Sequence, residues 1–149
     1  MLIGIPKEIK NHEYRVAMTP DGVHLLAQAG HLIRVQSGAG SDIGFSDAAY
    51  REAGAELVDS PAEIYRADLV VKVKEPQASE TSLLQPGQVL FCYLHLAAAP
   101  ELAHTLLARN VTAIGYETVT DAAGGYPLLM PMSEIAGRMA PQMGALGLM

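Results

Sequence analysis

Three residues of this 149-residue chain carry side chains able to hold a small anion and move a proton beside it: Arg15, Lys74 and His95. Arg15 offers a planar fork of donors that matches a carboxylate through two parallel hydrogen bonds, and Lys74 adds a compact positive charge. His95 supplies an imidazole, whose ordinary pKa of about 6.5 lets it trade protons near neutrality. Each also has an ordinary reading. Arg15 suits a solvated polar loop, and His95, in the most apolar stretch of the chain, suits a satisfied core histidine. Lys72 and Lys74 alternate with Val71 and Val73, so both lysines share a face. That pattern fits either a site at the strand end, with Lys74 the candidate, or an edge strand with one solvated face.

An open parallel sheet can bring such distant positions together, because ligands bind beyond the carboxyl ends of its strands. Near-continuous apolar runs predict strands over residues 2–5, 32–36, 56–58, 69–73, 88–92 and 111–116. Helical patterns fall between them. Thr19-Pro20 opens a helix over 20–29 that stops at Gly30, Ser46 caps a short one ending at Gly54, and Ser60, Pro61 and Glu63 form a capping-box pattern. Residues 100–109 form a further amphipathic helix. Ile135, Met139, Met143 and Leu146 recur at helical spacing after Ser133, with Pro141 expected to kink that helix. Alternating strands and helices predict an α/β fold: a three-layer, mostly parallel sheet of Rossmann-like or flavodoxin-like type. Pro6-Lys7-Glu8 and the loop to Arg15 would then follow the first strand, Lys74-Glu75-Pro76 the fourth, Tyr93-Leu94-His95 the fifth and Glu117 the sixth, all facing one cleft.

Composition narrows the partners. With 50% hydrophobic and 17% charged residues the chain can pack a core, and its length suits one domain over 1–149. A net charge of -6, with its ten basic residues scattered, leaves no footprint for nucleic acid or an anionic membrane. The apolar runs fall far short of the ~20 residues of a membrane span. Cys92 is the only cysteine and has apolar neighbours, so a buried thiol in a reducing, cytoplasmic setting is expected, with no thiolate metal site. No metal-ligand spacing is present. His12, His24, His31 and His104 fall in loop or helix patterns expected at the surface. Gly38-Ala39-Gly40-Ser41-Asp42-Ile43-Gly44 echoes a dinucleotide fingerprint, with Asp59 further on, but its last glycine comes one residue late and the helix signal waits until Ser46. It reads as a tight turn, as does Gly124-Gly125. The fold is therefore expected to lack a dinucleotide loop of its own.

Several motifs together resemble one family. Gly4-Ile5-Pro6-Lys7-Glu8, Asn11, Glu13, Arg15-Val16-Ala17, Thr19-Pro20, Gly22-Val23 and Gly30 are similar to the N-terminal signature shared by alanine dehydrogenases and the α subunits of proton-translocating nicotinamide nucleotide transhydrogenases. The resemblance continues through Ser37-Gly38-Ala39-Gly40, Ala53-Gly54-Ala55, Val71 to Pro76, Tyr93 to Ala97 and Pro131 to Arg138, covering essentially the whole chain. Tyr93-Leu94-His95 and Lys74-Glu75-Pro76 resemble the dehydrogenase branch, since transhydrogenases typically lack a histidine in that place.

The resemblance implies oxidation of L-alanine by NAD and water to pyruvate, ammonia and NADH, and the reverse. It implies that Arg15 and Lys74 grip the substrate, that His95 transfers protons, that Met132 forms a substrate wall and that Ser133 contacts the dinucleotide. It also implies a homo-oligomer, often a hexamer, with no membrane or nucleic-acid partner. Family members continue into a dinucleotide-binding domain with a glycine-rich loop and a second catalytic carboxylate, neither of which lies in these 149 residues. The chain is thus expected to be the substrate-binding half, a weak binder of NAD by itself. Two other expectations accompany this one: a non-catalytic carboxylate-binding or regulatory fragment, and the N-terminal domain of a transhydrogenase α subunit.

Overall fold

The apolar run Leu2–Ile5 forms β1, at the middle of a six-stranded sheet. The computed structural model describes residues 1–148. The strands after β1 are β2 (Leu32–Gln36), β3 (Glu56–Val58), β4 (Leu69–Val71), β5 (Val89–Cys92) and β6 (Thr112–Gly115). The helices are α1 (Pro20–Gln28), α2 (Asp47–Glu52), α3 (Pro61–Ile64), α4 (Ala78–Thr81), α5 (Pro100–Ala108) and α6 (Met130–Gly147). The strand order is β3-β2-β1-β4-β5-β6, and the β1/β2, β1/β4, β2/β3 and β4/β5 pairs are parallel. Of the two expected types, this order is the doubly wound Rossmann one and not the flavodoxin one. The chain winds outward from β1 to β3, then returns to β4 and winds outward the other way. Right-handed crossovers then place the two sets of helices on opposite faces, which gives the three layers.

Local chemistry explains most element ends. The Thr19 hydroxyl accepts from the Gly22 N–H, with Pro20 in the first turn of α1, and the Ser46 hydroxyl accepts from the Ala49 N–H at the start of α2. The capping box expected at Ser60 does not form, since no side chain caps α3. A box does form one element later, where Gln77 and Glu80 cap each other across the first turn of α4. α6 begins at Met130, before Ser133, because Pro131 is tolerated in a first turn that needs no N–H there.

β4 is a central strand, so the edge-strand reading of its two lysines is overturned. Its pairing continues past Val71, with the Lys72 N–H donating to the Phe91 carbonyl at 3.0 Å and the Tyr93 N–H donating to the Val73 carbonyl at 3.1 Å. Lys72 is 0% exposed, and its ammonium lies 2.9 Å from Glu80 and 3.2 Å from Glu8. The core around it holds Ile64, Tyr65, Val70, Leu84, Leu90 and the buried thiol Cys92.

Gly4, in β1, runs directly under α3. A Cβ there would stand 2.5 Å from the Ile64 carbonyl oxygen and 3.0 Å from the Ala67 Cβ, and a backbone oxygen cannot swing aside. Gly4→Ala is expected to cost about 1–3 kcal/mol of stability by overpacking. Equilibrium urea unfolding checks this, and an unchanged midpoint would mean that α3 slides without penalty.

The described residues divide into two compact units, Met1 to Ile114 and Gly115 onward. All the buried apolar residues that make up the core lie in the first. In the second, a turn at Asp121–Gly125 is closed by the Asp121 carboxylate, which accepts from the Ala123 and Gly125 N–H groups at 2.9 and 2.8 Å. It leads to α6, none of whose residues is buried. Among the described residues, no helix is long and apolar enough to cross a membrane.

Candidate active site

Because β1, β4 and β5 are parallel neighbours, their carboxyl ends open onto one edge of the sheet, with adjacent strands ~4.8 Å apart. Arg15 lies in the loop after β1, Lys74 just past β4 and His95 just past β5. All three belong to the first unit.

The loop after β1 is fastened at several points. The Lys7 N–H donates to Gln36 Oε1 at 3.0 Å, and the Tyr50 hydroxyl donates to the Met18 carbonyl at 2.7 Å. Tyr50 is fully buried, and burial pushes its pKa up to about 12, so it stays a neutral donor. Lys10 pairs with Glu75, which ties this loop to the one after β4. Within the loop, Glu13 grips Arg15: Nε donates to Oε1 at 2.8 Å, Nη2 to Oε2 at 2.6 Å, and the Arg15 N–H to Oε1 at 3.0 Å. Two of the guanidinium's five donors are thereby committed to orienting it.

Electrostatics links the three loops. The hydrogen bonds that Arg15 donates to Glu13 raise its pKa, with burial opposing, and the negative charges of Glu13 and, more weakly, Glu8 add to the rise. The Glu13 carboxyl is lowered first by its hydrogen bonds from Arg15, with a smaller contribution from Lys74. At Glu75 burial raises the pKa, but the Lys10 hydrogen bond and charge, together with His95, bring it below the ordinary range. The loops after β1 and β4 are also joined directly, through the Lys10–Glu75 pair.

His95 itself is exposed, so the core-histidine reading is overturned. The apolar stretch around it is real but divides: Cys92, Tyr93 and Leu94 face inward, and the chain turns outward at His95, where φ is +50°. The imidazole stacks on the Tyr93 ring, with centroids 6.0 Å apart and planes 14° apart. Of the other histidines, His12, His24 and His104 are exposed, while His31 is half-buried. Met132 and Ser133 stand in the first turn of α6, and Glu117 in a 3-10 turn after β6; all three belong to the second unit.

Sequence reasoning named Glu8, Glu13 and Glu75 only as parts of motifs, and Tyr93 only as a neighbour of His95. The signals for them were an acid two residues before Arg15 and an acid directly after Lys74.

Charge pairing here sets a pH dependence. Folding lowers the Glu13 pKa, so its contribution to stability is full above the ordinary value of 4.5 and is lost as pH falls through the lower folded value. Glu8 runs the other way. Burial raises its pKa against the charge of Lys72, so its contribution is full below 4.5 and fades as pH rises through the folded value. Glu13→Gln is therefore expected to flatten the acid limb of a melting-temperature profile taken from pH 3 to 7. An acid limb identical to that of the parent would show that the Arg15 clamp adds nothing.

The glycine segment 38–44 does not fit a dinucleotide. The Gly38 N–H, which would have to face a pyrophosphate, donates instead to the Asp47 carboxylate at 2.8 Å. A 3-10 turn, Ser41–Ile43, intervenes, and α2 starts only at Asp47. Among the described residues, no group of three His, Cys, Asp or Glu side chains could hold a metal ion.

The family model "Alanine dehydrogenase/PNT, N-terminal domain" matches residues 4–136. The alanine dehydrogenase of Bacillus subtilis (strain 168) is 54% identical over 145 residues, a match covering 97% of this chain and 38% of that protein. That of Halomonas elongata is 55% identical over 146 residues, covering 97% and 39%. An L-alanine dehydrogenase structure superposes with a TM-score of 0.91 at 50% identity, covering 97% of this chain and 40% of that one. A transhydrogenase from Sinorhizobium meliloti gives 0.75 at 28% identity, covering 78% and 35%. The chain spans about two-fifths of the length of the curated relatives it matches. With its β1, β4 and β5 loops built as described, the chain belongs to the alanine dehydrogenase/PNT N-terminal domain family.

Proposed function

We propose that the chain is the substrate-binding half of an NAD-dependent alanine dehydrogenase, which converts L-alanine, NAD and water to pyruvate, ammonia and NADH. What supports this reading is that a clamped guanidinium, an ammonium and an exposed imidazole each follow one of three adjacent strands, β1, β4 and β5. Arg15 and Lys74 hold the substrate carboxylate, and the Glu13 grip keeps the guanidinium in one orientation, so little ordering remains to be done on binding. His95 moves protons to and from the reacting end of the substrate. Met132 forms part of the substrate wall. NAD supplies the oxidising equivalent, and Ser133 is the one residue proposed to contact it. The parent enzyme acts on a small molecule in the cytoplasm as a homo-oligomer. The transhydrogenase reading draws on the weaker likeness, 28% identity against 50%.

Calorimetric titration of the chain with pyruvate tests the carboxylate site. Arg15→Ala or Lys74→Ala is expected to weaken binding about 10- to 100-fold, the worth of one charge-assisted hydrogen-bonded contact. Equal affinity in all three proteins would remove the carboxylate from this site.

A further inference from the structure

Beyond the residues assigned to substrate, one buried group spans the two arms of the site. Glu8 lies in the loop after β1, near its start, and is 7% exposed. Its Oε1 accepts the Val73 N–H at 2.7 Å, and its Oε2 accepts from Lys72 Nζ at 3.2 Å. Both partners belong to the end of β4, directly before Lys74. On the far side of the ammonium, Glu80 Oε1 accepts from Lys72 at 2.9 Å and from the Tyr65 hydroxyl at 3.0 Å, and Glu80 Oε2 accepts the Gln77 N–H at 2.8 Å.

We propose that Glu8 is the positioning residue of the carboxylate site: by holding Lys72 Nζ and the Val73 amide together, it clasps the loop after β1 to the end of β4 and fixes the separation of Arg15 from Lys74. The role within the site rests on the carboxylate reading above; the clasp itself does not. A buried ion pair adds little net stability over apolar residues of similar shape, whereas it specifies one register between the elements it joins. Glu8 also joins the two arms through a backbone amide, which no change of side chain on β4 can move. Besides Lys72 and the Val73 amide, which it binds directly, Glu8 acts through its charge on Tyr65 and, from its own loop, on Arg15, and Glu80 acts on it. Glu80 serves a different pair of elements, β4 and the start of α4, so it provides a matched control.

The test compares three variants of the 149-residue chain by pyruvate titration, thermal melting and amide hydrogen exchange. Glu8→Ala is expected to weaken pyruvate binding about tenfold or more and to speed exchange both in the loop bearing Arg15 and at the Val73 amide. Glu8→Gln keeps an acceptor for Val73 and should recover part of both losses. Glu80→Gln keeps the α4 capping box and should lower the melting temperature while leaving pyruvate affinity within about twofold and the Arg15 loop protected. Affinity that tracks melting temperature across all three variants, or an Arg15 loop unchanged in Glu8→Ala, overturns the proposal. If the parent chain binds no pyruvate, the carboxylate reading fails, and the exchange comparison alone decides whether the clasp exists.

Discussion

In a polypeptide that joins this chain to an NAD-binding half, as the proposed function requires, His95→Ala is expected to lower alanine-dependent NADH formation by about 10²- to 10⁴-fold, the usual contribution of a positioned acid–base group. Pyruvate binding should change far less, because the cations on the β1 and β4 loops remain. The placement of the ring supports this separation. It stacks on Tyr93 at 6.0 Å and carries a left-handed backbone, with φ at +50°. That conformation costs a non-glycine residue roughly 1–2 kcal/mol, and strain of this kind collects at functional sites. His95→Gly relieves the strain while also removing the imidazole. It should therefore melt above His95→Ala and be equally slow. Turnover within a few-fold of the parent in either variant would mean that another group carries the proton. Steady-state rates read beside melting curves separate the two effects.

Lys72→Ala is expected to cost about 3–5 kcal/mol of folding free energy, because it leaves two buried carboxylates facing each other with no cation between them. Glu8 and Glu80 are 7% and 4% exposed, so water cannot replace the ammonium. For a chain of this size each kcal/mol moves the melting temperature by roughly 2–4 °C, so a loss of about ten degrees is anticipated. Lys72→Met should fare little better, since the missing charge sets the cost and the side-chain volume does not. Both variants should regain stability on acidification, because burial raises the Glu8 pKa and the loss of Lys72 removes the charge that opposes that rise. A melting temperature within two or so degrees of the parent at neutral pH would show that the triad can rearrange or hydrate.

Strand positions and the edge that gathers the functional loops were legible from apolar runs and from what followed each run. β1, β2 and β3 coincide with the expected ranges, and the other strands differ only by residues at their ends. Burial was harder to read. His95 looked internal because its neighbours are apolar, and one change of backbone direction reversed that. Lys72 looked solvent-facing because a charged residue is costly in the middle of a sheet. Of its two carboxylate partners Glu80 lies eight residues on, but Glu8 lies 64 residues back, and only the parallel pairing of β1 with β4 brings it near. The short helix α4, with its Gln77–Glu80 capping box, had no counterpart among the expected elements. Local pattern thus located the elements, while long-range ion pairs decided which charged residues were structural.

The central claim concerns one shared binding place at the carboxyl ends of β1, β4 and β5. Its most direct measurement is a pyruvate titration followed by NMR, observing the Arg15 Nε–H, the Lys74 side chain and the His95 ring together. If the three side chains share one binding place, all three signals shift along one saturation curve, with a common dissociation constant. Signals that stay fixed while pyruvate binds, or shifts that gather instead around the cavity lined by Met1, Arg66, Asp68 and Gln88, would contradict a shared site.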